Sequence, residues 1–403
     1  MRNLEKSVPV IRFKGFSEAW EQRKLGDIAN YRNGKAHEQV EDEDGKYTII
    51  NSKFISTNGK VQRYTNEQVE PIFDGEIAMV LSDLPNGKAL AKLFLVKEDG
   101  KYTLNQRIAG ITPNENIDPI FLNFRMNRNN YFLKFDSGVT QTNLSKSQVE
   151  NFIALYPTFD EQYKIGLFFT QLDDTIALHQ RKLDALKQMK KAFSQQIFPE
   201  NNRKKPKIRF TSFYEEWEQR KIGEYGYFYY GKSAPKWSVA QDATTPCVRY
   251  GELYTKFGPK IDIVHSYTNI DKSNLKFSSG NEVLVPRVGE NPLDFSNCSW
   301  LSISNVAIGE MISVYTTEQY PLFIAYYFRS KMKYEFAKRV EGGNVSNLYY
   351  SYLEDILISV PSIEEQKKIA EFLNKIDITI NLLQNKLDRI KELKKAYLQN
   401  MFI

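Results

Sequence analysis

From Ile165 to Ile197 the sequence steps by alternating fours and threes through Phe169, Leu172, Ile176, His179, Leu183, Leu186, Lys190 and Phe193. Such spacing draws one mostly apolar seam along a helix and requires a second helix to cover it. Adding 204 to each number gives Ile369, Leu373, Ile376, Ile380, Leu383, Leu387, Ile390, Lys394, Tyr397 and Met401, so the seam and its lysine both return. A continuous helix over 165–197 is about 50 Å long at ~1.5 Å per residue, more than one small domain needs. The two copies are therefore expected to pair with each other, antiparallel if the halves of the chain are related by a pseudo-twofold axis. A polar residue repeated at one seam position, as Lys190 and Lys394 are, can fix the register of such a pair.

A second repeat lies upstream of each seam. Residues 11–26 read IRFKGFSEAWEQRKLG and residues 208–223 read IRFTSFYEEWEQRKIG, with 11 of 16 positions identical at an offset of 197. The offset grows to 204 at the helices, so the second segment is seven residues longer inside a shared frame. A period near 200 is too long for a solenoid and marks a duplicated domain. Between the markers, YTIINSKFI, GEIAMVLSD and ALAKLFLV in the first segment, and NEVLVPRVG and NVAIGEMISVY in the second, read as strands. One shorter helix is expected in each segment, near 118–135 and 320–340, followed by the polar turns GVTQTNLS from Gly138 and GGNVSNLYY from Gly342. Pro157 and Pro361 punctuate the approach to the long helices, and PENNRKKPK at 199–207 reads as a basic linker. The expected organisation is domain 1 over 1–158, a long helix over 159–198, the linker, domain 2 over 208–362 and a second long helix over 363–403. The class is mixed, α/β (α+β).

At 403 residues the chain is large enough for two hydrophobic cores. The start, MRNLEK, lacks an apolar leader, and no run approaches the roughly 18 apolar residues of a membrane span, so a cytoplasmic location with no membrane partner is expected. Cys247 and Cys298 form no C-x-x-C, and only His37, His179 and His265 are present, which argues against a zinc ribbon, a disulfide framework or a histidine metal cluster. The net charge of +6 divides unevenly. Residues 1–200 hold 27 Lys and Arg against 26 Asp and Glu, or +1, leaving +5 for the remainder. That balance suits a nucleic-acid partner and an ordinary soluble protein equally well.

Catalytic signatures are sparse. Gly226-Tyr-Phe-Tyr-Tyr-Gly231-Lys232-Ser233 matches G-x-x-x-x-G-K-[ST] formally, but four aromatics fill the loop where a phosphate cradle needs small residues and free amides. At the equivalent place domain 1 keeps only Gly34-Lys35. Asn291-Pro292-Leu293 falls short of the N-P-P-[FY] of an amino-methyltransferase, and Glu43-Asp44-Gly45-Lys46 reads as a solvated acidic turn rather than a nuclease site. What remains is binding surface. Lys35, Lys53, Arg63, Lys88 and Arg107 in the first domain, and Lys232, Lys236, Arg249, Lys256, Lys260 and Arg287 in the second, stand among aromatics. Lys and Arg can neutralise DNA phosphates, and Arg, Asn and Gln can read base edges. Gln141, Asn143, Asn344 and Asn347 in the polar turns can do the same or simply shape the turns. On the long helices, Gln162, Lys182, Lys187, Lys191, Gln366, Lys386, Lys391 and Lys395 are expected off the seam, available to partners.

Together these features resemble the specificity subunit of type I restriction-modification enzymes. The resemblance rests on the repeated WEQRKLG and WEQRKIG, the Pro-x-x-x-x-Gln of Pro157 to Gln162 and of Pro361 to Gln366, and the order and spacing of the whole. It implies two target-recognition domains that each read one half of a split, asymmetric site in double-stranded DNA, with the helices spacing the halves and docking partners. It also implies no catalytic residue, metal or cofactor in this chain. Two modification (methyltransferase) subunits would bring S-adenosylmethionine for adenine methylation, and two restriction (translocase and nuclease) subunits would bring ATP and Mg. A tandem DNA-binding scaffold acting without methylase partners is the alternative.

Overall fold

The computed structural model describes residues 8–85, 87–200, 203–240 and 242–402. The start MRNLEK, positions 201 and 202 of the linker, and residue 403 at the end of the range expected for the second helix therefore lie outside the described residues. The two long helices run Phe159–Gln196 and Ile363–Met401. Contacts divide the chain into Met1–Gln180 with Asn385–Ile403, here unit 1, and Arg181–Gln384, unit 2. The boundary thus falls inside both long helices, where the sequence placed it at their ends. Each unit contains the first half of one long helix and the second half of the other.

In unit 1, Glu21–Lys24 of the WEQRK repeat pairs antiparallel with Ile153–Tyr156, just ahead of the first long helix. Trp20 sinks into the core beside this pair. An antiparallel four-stranded sheet follows in the order Ala29–Asn33, Ile108–Pro113, Ile77–Val80, Leu93–Leu95. A second sheet of four places Tyr47–Ile50 parallel to Tyr102–Leu104, with short antiparallel strands outside them. YTIINSKFI is only half strand. Asn51 accepts a hydrogen bond from the Phe54 amide and turns Ser52–Ser56 into a helix.

Unit 2 repeats the frame. Glu218–Lys221 pairs with Leu357–Val360, and Trp217 is buried as Trp20 is. The main sheet runs Gly226–Tyr230, Ile312–Thr317, Glu282–Pro286, Ser299–Leu301, Lys260–Ile261, one strand more than in unit 1. The other sheet orders Ser266–Thr268, Thr245–Val248, Ser304–Ile308 and Phe277–Ser279. NVAIGEMISVY therefore serves two sheets, splitting at Gly309. Each expected shorter helix is broken in two: Pro119–Met126 and Asn130–Leu133 are separated by Arg128 at φ 53°, and Pro321–Lys331 and Lys333–Ala337 by Met332.

Inside each unit the helix halves run antiparallel. In unit 1, Phe168 meets Tyr397 edge-on at 5.1 Å and Phe13 at 5.8 Å. In unit 2, Phe372 meets Phe193 at 5.1 Å and Phe210 at 5.9 Å. These are one three-ring cluster built twice, since the offsets of 197 and 204 carry each member onto its counterpart. The seam lysines follow the same rule. Lys394 bonds Asp173 at 2.5 Å in unit 1, and Lys190 bonds Asp377 at 2.5 Å in unit 2. Every seam position is buried or half-buried: Ile165, Phe169, Leu172, Ile176, Leu183, Leu186 and Phe193 on one helix, Ile369, Leu373, Ile376, Ile380, Leu387, Ile390 and Tyr397 on the other. His179 is half-buried, and neither ring nitrogen has a hydrogen-bond partner among the described residues.

The first helical turn corrects one expectation. Gln162 and Gln366, expected on an outward face, are 2% and 0% exposed. Stepping back three residues from Ile165 or Ile369 stays on the seam side, so the helix turns these amides inward. Each then bridges two loops. The Gln162 amide donates to the Pro157 carbonyl (2.9 Å) and accepts from the Asp118 amide (3.1 Å); Gln366 does the same with Pro361 (2.8 Å) and Tyr320 (2.9 Å). The preceding glutamates are equally enclosed. Glu161 takes a two-pronged bond from Arg12, both contacts 2.7 Å, and Glu365 takes its twin from Arg209. These hydrogen bonds hold both guanidinium pKa values above their ordinary range.

Candidate nucleic-acid interface

The two glycine–lysine pairs show how the frame delivers a surface. Gly34 donates to the Ile108 carbonyl (2.8 Å) and Lys35 to Leu104 (3.1 Å). Gly231 donates to Ile312 (3.0 Å) and Lys232 to Ile308 (2.9 Å), the same bonds shifted by the repeat. A Cβ on Gly34 would collide with the Asn105 carbonyl oxygen, and one on Gly231 with that of Gly309. Close backbone approach explains why Gly-Lys recurs, and no phosphate loop is involved: Gly226–Tyr230 is a sheet strand. Beyond the glycine, Lys35 and Lys232 are delivered to the surface.

The polar turns are the second repeated device. In unit 1, Thr142–Asn143 pairs with Ser82–Asp83, directly after the core strand Ile77–Val80. In unit 2, Ser346–Asn347 pairs with Val288–Gly289, directly after Glu282–Pro286. Gln141 donates to the Ser82 hydroxyl at 2.6 Å, and the Asp83 carboxylate gathers the amides of Leu84, Ala89 and Leu90, which shapes the loop carrying exposed Lys88. Asn143 and Asn344 are exposed, and Asn347 is half-buried.

The expected cations fall into groups. Lys35 pairs with Glu70 (3.0 Å), Arg63 with Glu41 (3.0 Å), Lys256 with Glu252 (3.1 Å) and Lys260 with Asp262 (3.4 Å). Their charge is already shared with a carboxylate, which weakens the case for a phosphate contact. Lys53, Lys88, Arg107, Lys232 and Lys236 are exposed, with no carboxylate partner among the described residues. Arg249 begins the helix Tyr250–Thr255, its backbone amide bonded to Glu252 (3.0 Å). Arg287 is half-buried, its guanidinium 4.5 Å from the Tyr230 ring centroid and 5.8 Å from that of Tyr349. Sequence reasoning did not single out those two tyrosines, nor Trp237, which stands 79% exposed beside Lys236. The aromatic run before Gly231 was the available signal for Tyr230, and the turn GGNVSNLYY, which ends in Tyr349-Tyr350, was the one for Tyr349.

Among the described residues no group of three or more His, Cys, Asp or Glu side chains is placed to hold a metal ion. The acidic turn near Glu43 is built by Asp42, which accepts from the Asp44 amide (3.0 Å) and the Asn66 side chain (2.6 Å). Both cysteines are buried and free; burial pushes the Cys247 thiol up to about 11, and raises Cys298 as well. His37 is enclosed and bonded to the Lys35 carbonyl and the Thr103 hydroxyl.

Two copies of one frame, each offering a glycine–lysine pair and a polar turn, define a class of tandem recognition proteins. Comparison with known proteins gives the family. The family described as the type I restriction modification DNA specificity domain matches residues 17–188 and 214–392. The type I restriction enzyme MjaVIII specificity subunit of Methanocaldococcus jannaschii is 24% identical over 412 residues, spanning 94% of this chain and 91% of that protein. A crystal structure of a type I restriction-modification S subunit from M. genitalium shares the fold at a TM-score of 0.63 and 12% identity, over 98% of this chain and 99% of that one. A chain from a structural study of complex assembly in the type I R-M system aligns at 0.50 and 16% identity, over 94% and 96%. The chain belongs to the type I restriction-modification DNA specificity family. It is accordingly the non-catalytic, DNA sequence-specificity subunit of a type I restriction-modification system.

Proposed function

We propose that each unit reads one half of a bipartite, asymmetric site in double-stranded DNA, and that the long helices set the number of unread base pairs between the halves. The observation that carries this reading is the frame built twice around different interiors. Identical Gly-Lys and polar-turn placements would offer equivalent surfaces to DNA, while the residues in between differ and so would read different bases. Two methyltransferase subunits would dock through the exposed faces of the helices. Support comes from a repeated set of exposed apolar and basic residues: Leu178, Leu393, Lys391 and Lys395 in unit 1, and Leu382, Met189, Lys187 and Lys191 in unit 2. Lys182 and Lys386 are exposed near them. Exposed Leu and Met at matched positions suit two copies of one partner. S-adenosylmethionine, ATP and Mg would reside on the partner subunits, two of each kind, in the cytoplasm. Within the described residues no helix is long and apolar enough to cross a membrane. Sequencing of methylated DNA from cells with and without this chain tests the proposal. A split motif with two methylated adenines should depend on the chain; an uninterrupted motif, or none, would count against it.

A further inference from the structure

Unit 1 and unit 2 hold one backbone slot in common and fill it differently. In unit 1 the residue after the core strand is Leu81, whose amide donates to the Arg107 carbonyl (2.9 Å) and whose carbonyl accepts from Leu144 (2.8 Å). In unit 2 the residue there is Arg287, bonded in the same way to Met311 (3.2 Å) and Leu348 (2.8 Å). Leu81 is buried. Arg287 instead lies against the Tyr230 and Tyr349 rings, one tyrosine immediately before Gly231-Lys232 and the other two residues after Asn347. It therefore stands between the two repeated surface devices of unit 2.

Its chemistry is unspent. Arg32, Arg63, Arg209 and Arg339 are all bonded to glutamates. Arg287 has no carboxylate partner among the described residues, and its Nε is buried without a hydrogen bond. A guanidinium between aromatic rings keeps its charge while its plane and torsions are restricted. An orphaned buried donor is costly unless a ligand or the solvent engages the group. A fixed planar fork with free donors matches the O6 and N7 acceptors of guanine in the major groove.

We propose that Arg287 is a specificity-determining residue of unit 2 and reads one guanine in the half-site bound by that unit, with Tyr230 and Tyr349 as its positioning residues. Unit 1 has no counterpart, because Leu81 occupies the slot. The assignment rests on the reading that each unit reads one half-site.

The test uses the full chain assembled with its methyltransferase and restriction subunits. Methylation motifs are sequenced for the wild type, Arg287→Leu, which copies unit 1, and Arg287→Lys, which keeps the charge without the planar fork. The wild-type motif should require a G·C pair at a position where Arg287→Leu becomes tolerant, with discrimination there reduced about 10- to 100-fold. The other half of the motif and the gap should be unchanged. Arg287→Lys should fall between, with its melting temperature close to wild type; that variant carries the test alone if Arg287→Leu does not accumulate. An unchanged motif in either variant, or a uniform loss across all positions as expected of a phosphate contact or a structural staple, would overturn the assignment. A wild type with no chain-dependent motif would overturn the specificity reading itself and this assignment with it.

Discussion

Glu161 and Glu365 carry charge where water is almost excluded, at 0% and 1% exposure, and each depends on a single arginine. Removing one member of an enclosed ion pair strands the other. Glu161→Ala is expected to destabilise the chain by about 3–5 kcal/mol, and replacing Arg12 and Glu161 together by methionines should recover much of that loss, as read by urea or thermal melting. Glu76 supplies a pH signal. Burial opposes its charge, but hydrogen bonds from Arg32, Thr112 and the Phe73 amide outweigh burial and leave its pKa below the ordinary value. A lowered folded pKa gives stability that is present above the unfolded value, about 4.3, and lost as pH falls through the folded one. Glu76→Gln should therefore cost most near pH 7, and its deficit should shrink below about pH 4; a deficit independent of pH would refute this. Gly231→Ala should force the Gly226–Tyr230 strand away from Gly309 and cost about 1–3 kcal/mol. None of these three roles is legible locally. Arg12, Glu161 and Gly231 are visible only as repeated letters and Glu76 only as one letter before a strand, and the contact that explains each is made with a distant segment.

At the scale of elements, the long helices were legible because periodicity and duplication reported the same object. Their register was half legible. The repeated lysine stood out, but its acid partner is found only when the helices are set antiparallel, which brings Lys190 to Asp377 and Lys394 to Asp173. Asp173 is 46% exposed against 18% for Asp377, so solvent should screen the unit 1 pair more. Double-mutant cycles should give a coupling of about 1 kcal/mol for Lys190 and Asp377 and a smaller one for Lys394 and Asp173. Gln162 and Gln366 were misplaced for an elementary reason. The periodic pattern was stopped at Ile165 and Ile369, one turn after the helix had begun to bury side chains. The shorter helices were read as continuous because propensity does not show where Arg128 or Met332 interrupts them.

For the whole molecule, duplication decides which faces must exist in two copies. If the matched exposed residues receive partners, charge placed there should weaken assembly and leave the fold alone. Leu178→Glu combined with Leu382→Glu is expected to lower methyltransferase subunit binding at least tenfold, measured by co-purification and sedimentation, with the melting temperature within about 2 °C of wild type. Fold class and doubling were plain in the sequence. The surface that meets DNA was not, because a basic residue counts differently once its carboxylate neighbour is known: Lys35, Arg63, Lys256 and Lys260 share their charge, while Lys232 and Lys236 have no carboxylate partner among the described residues.

The bonds from Gly34 to Ile108 and from Gly231 to Ile312 have a genetic consequence. The extra length of unit 2 lies wholly after the glycine–lysine pair and before the strand that receives it, since the offset is 197 at Lys35 and 204 at Leu104. Both ends of that interval are tied to the frame at neighbouring points, and in between it lends the frame one strand, Ile77–Val80 beside Ile108–Pro113 in unit 1 and Glu282–Pro286 beside Ile312–Thr317 in unit 2. A foreign interval of different length would have to supply that strand and its pairing to the polar turn to fit between the same two points. Recombination at these two short junctions would exchange the variable interior of a unit in a single event and leave its polar turn in place.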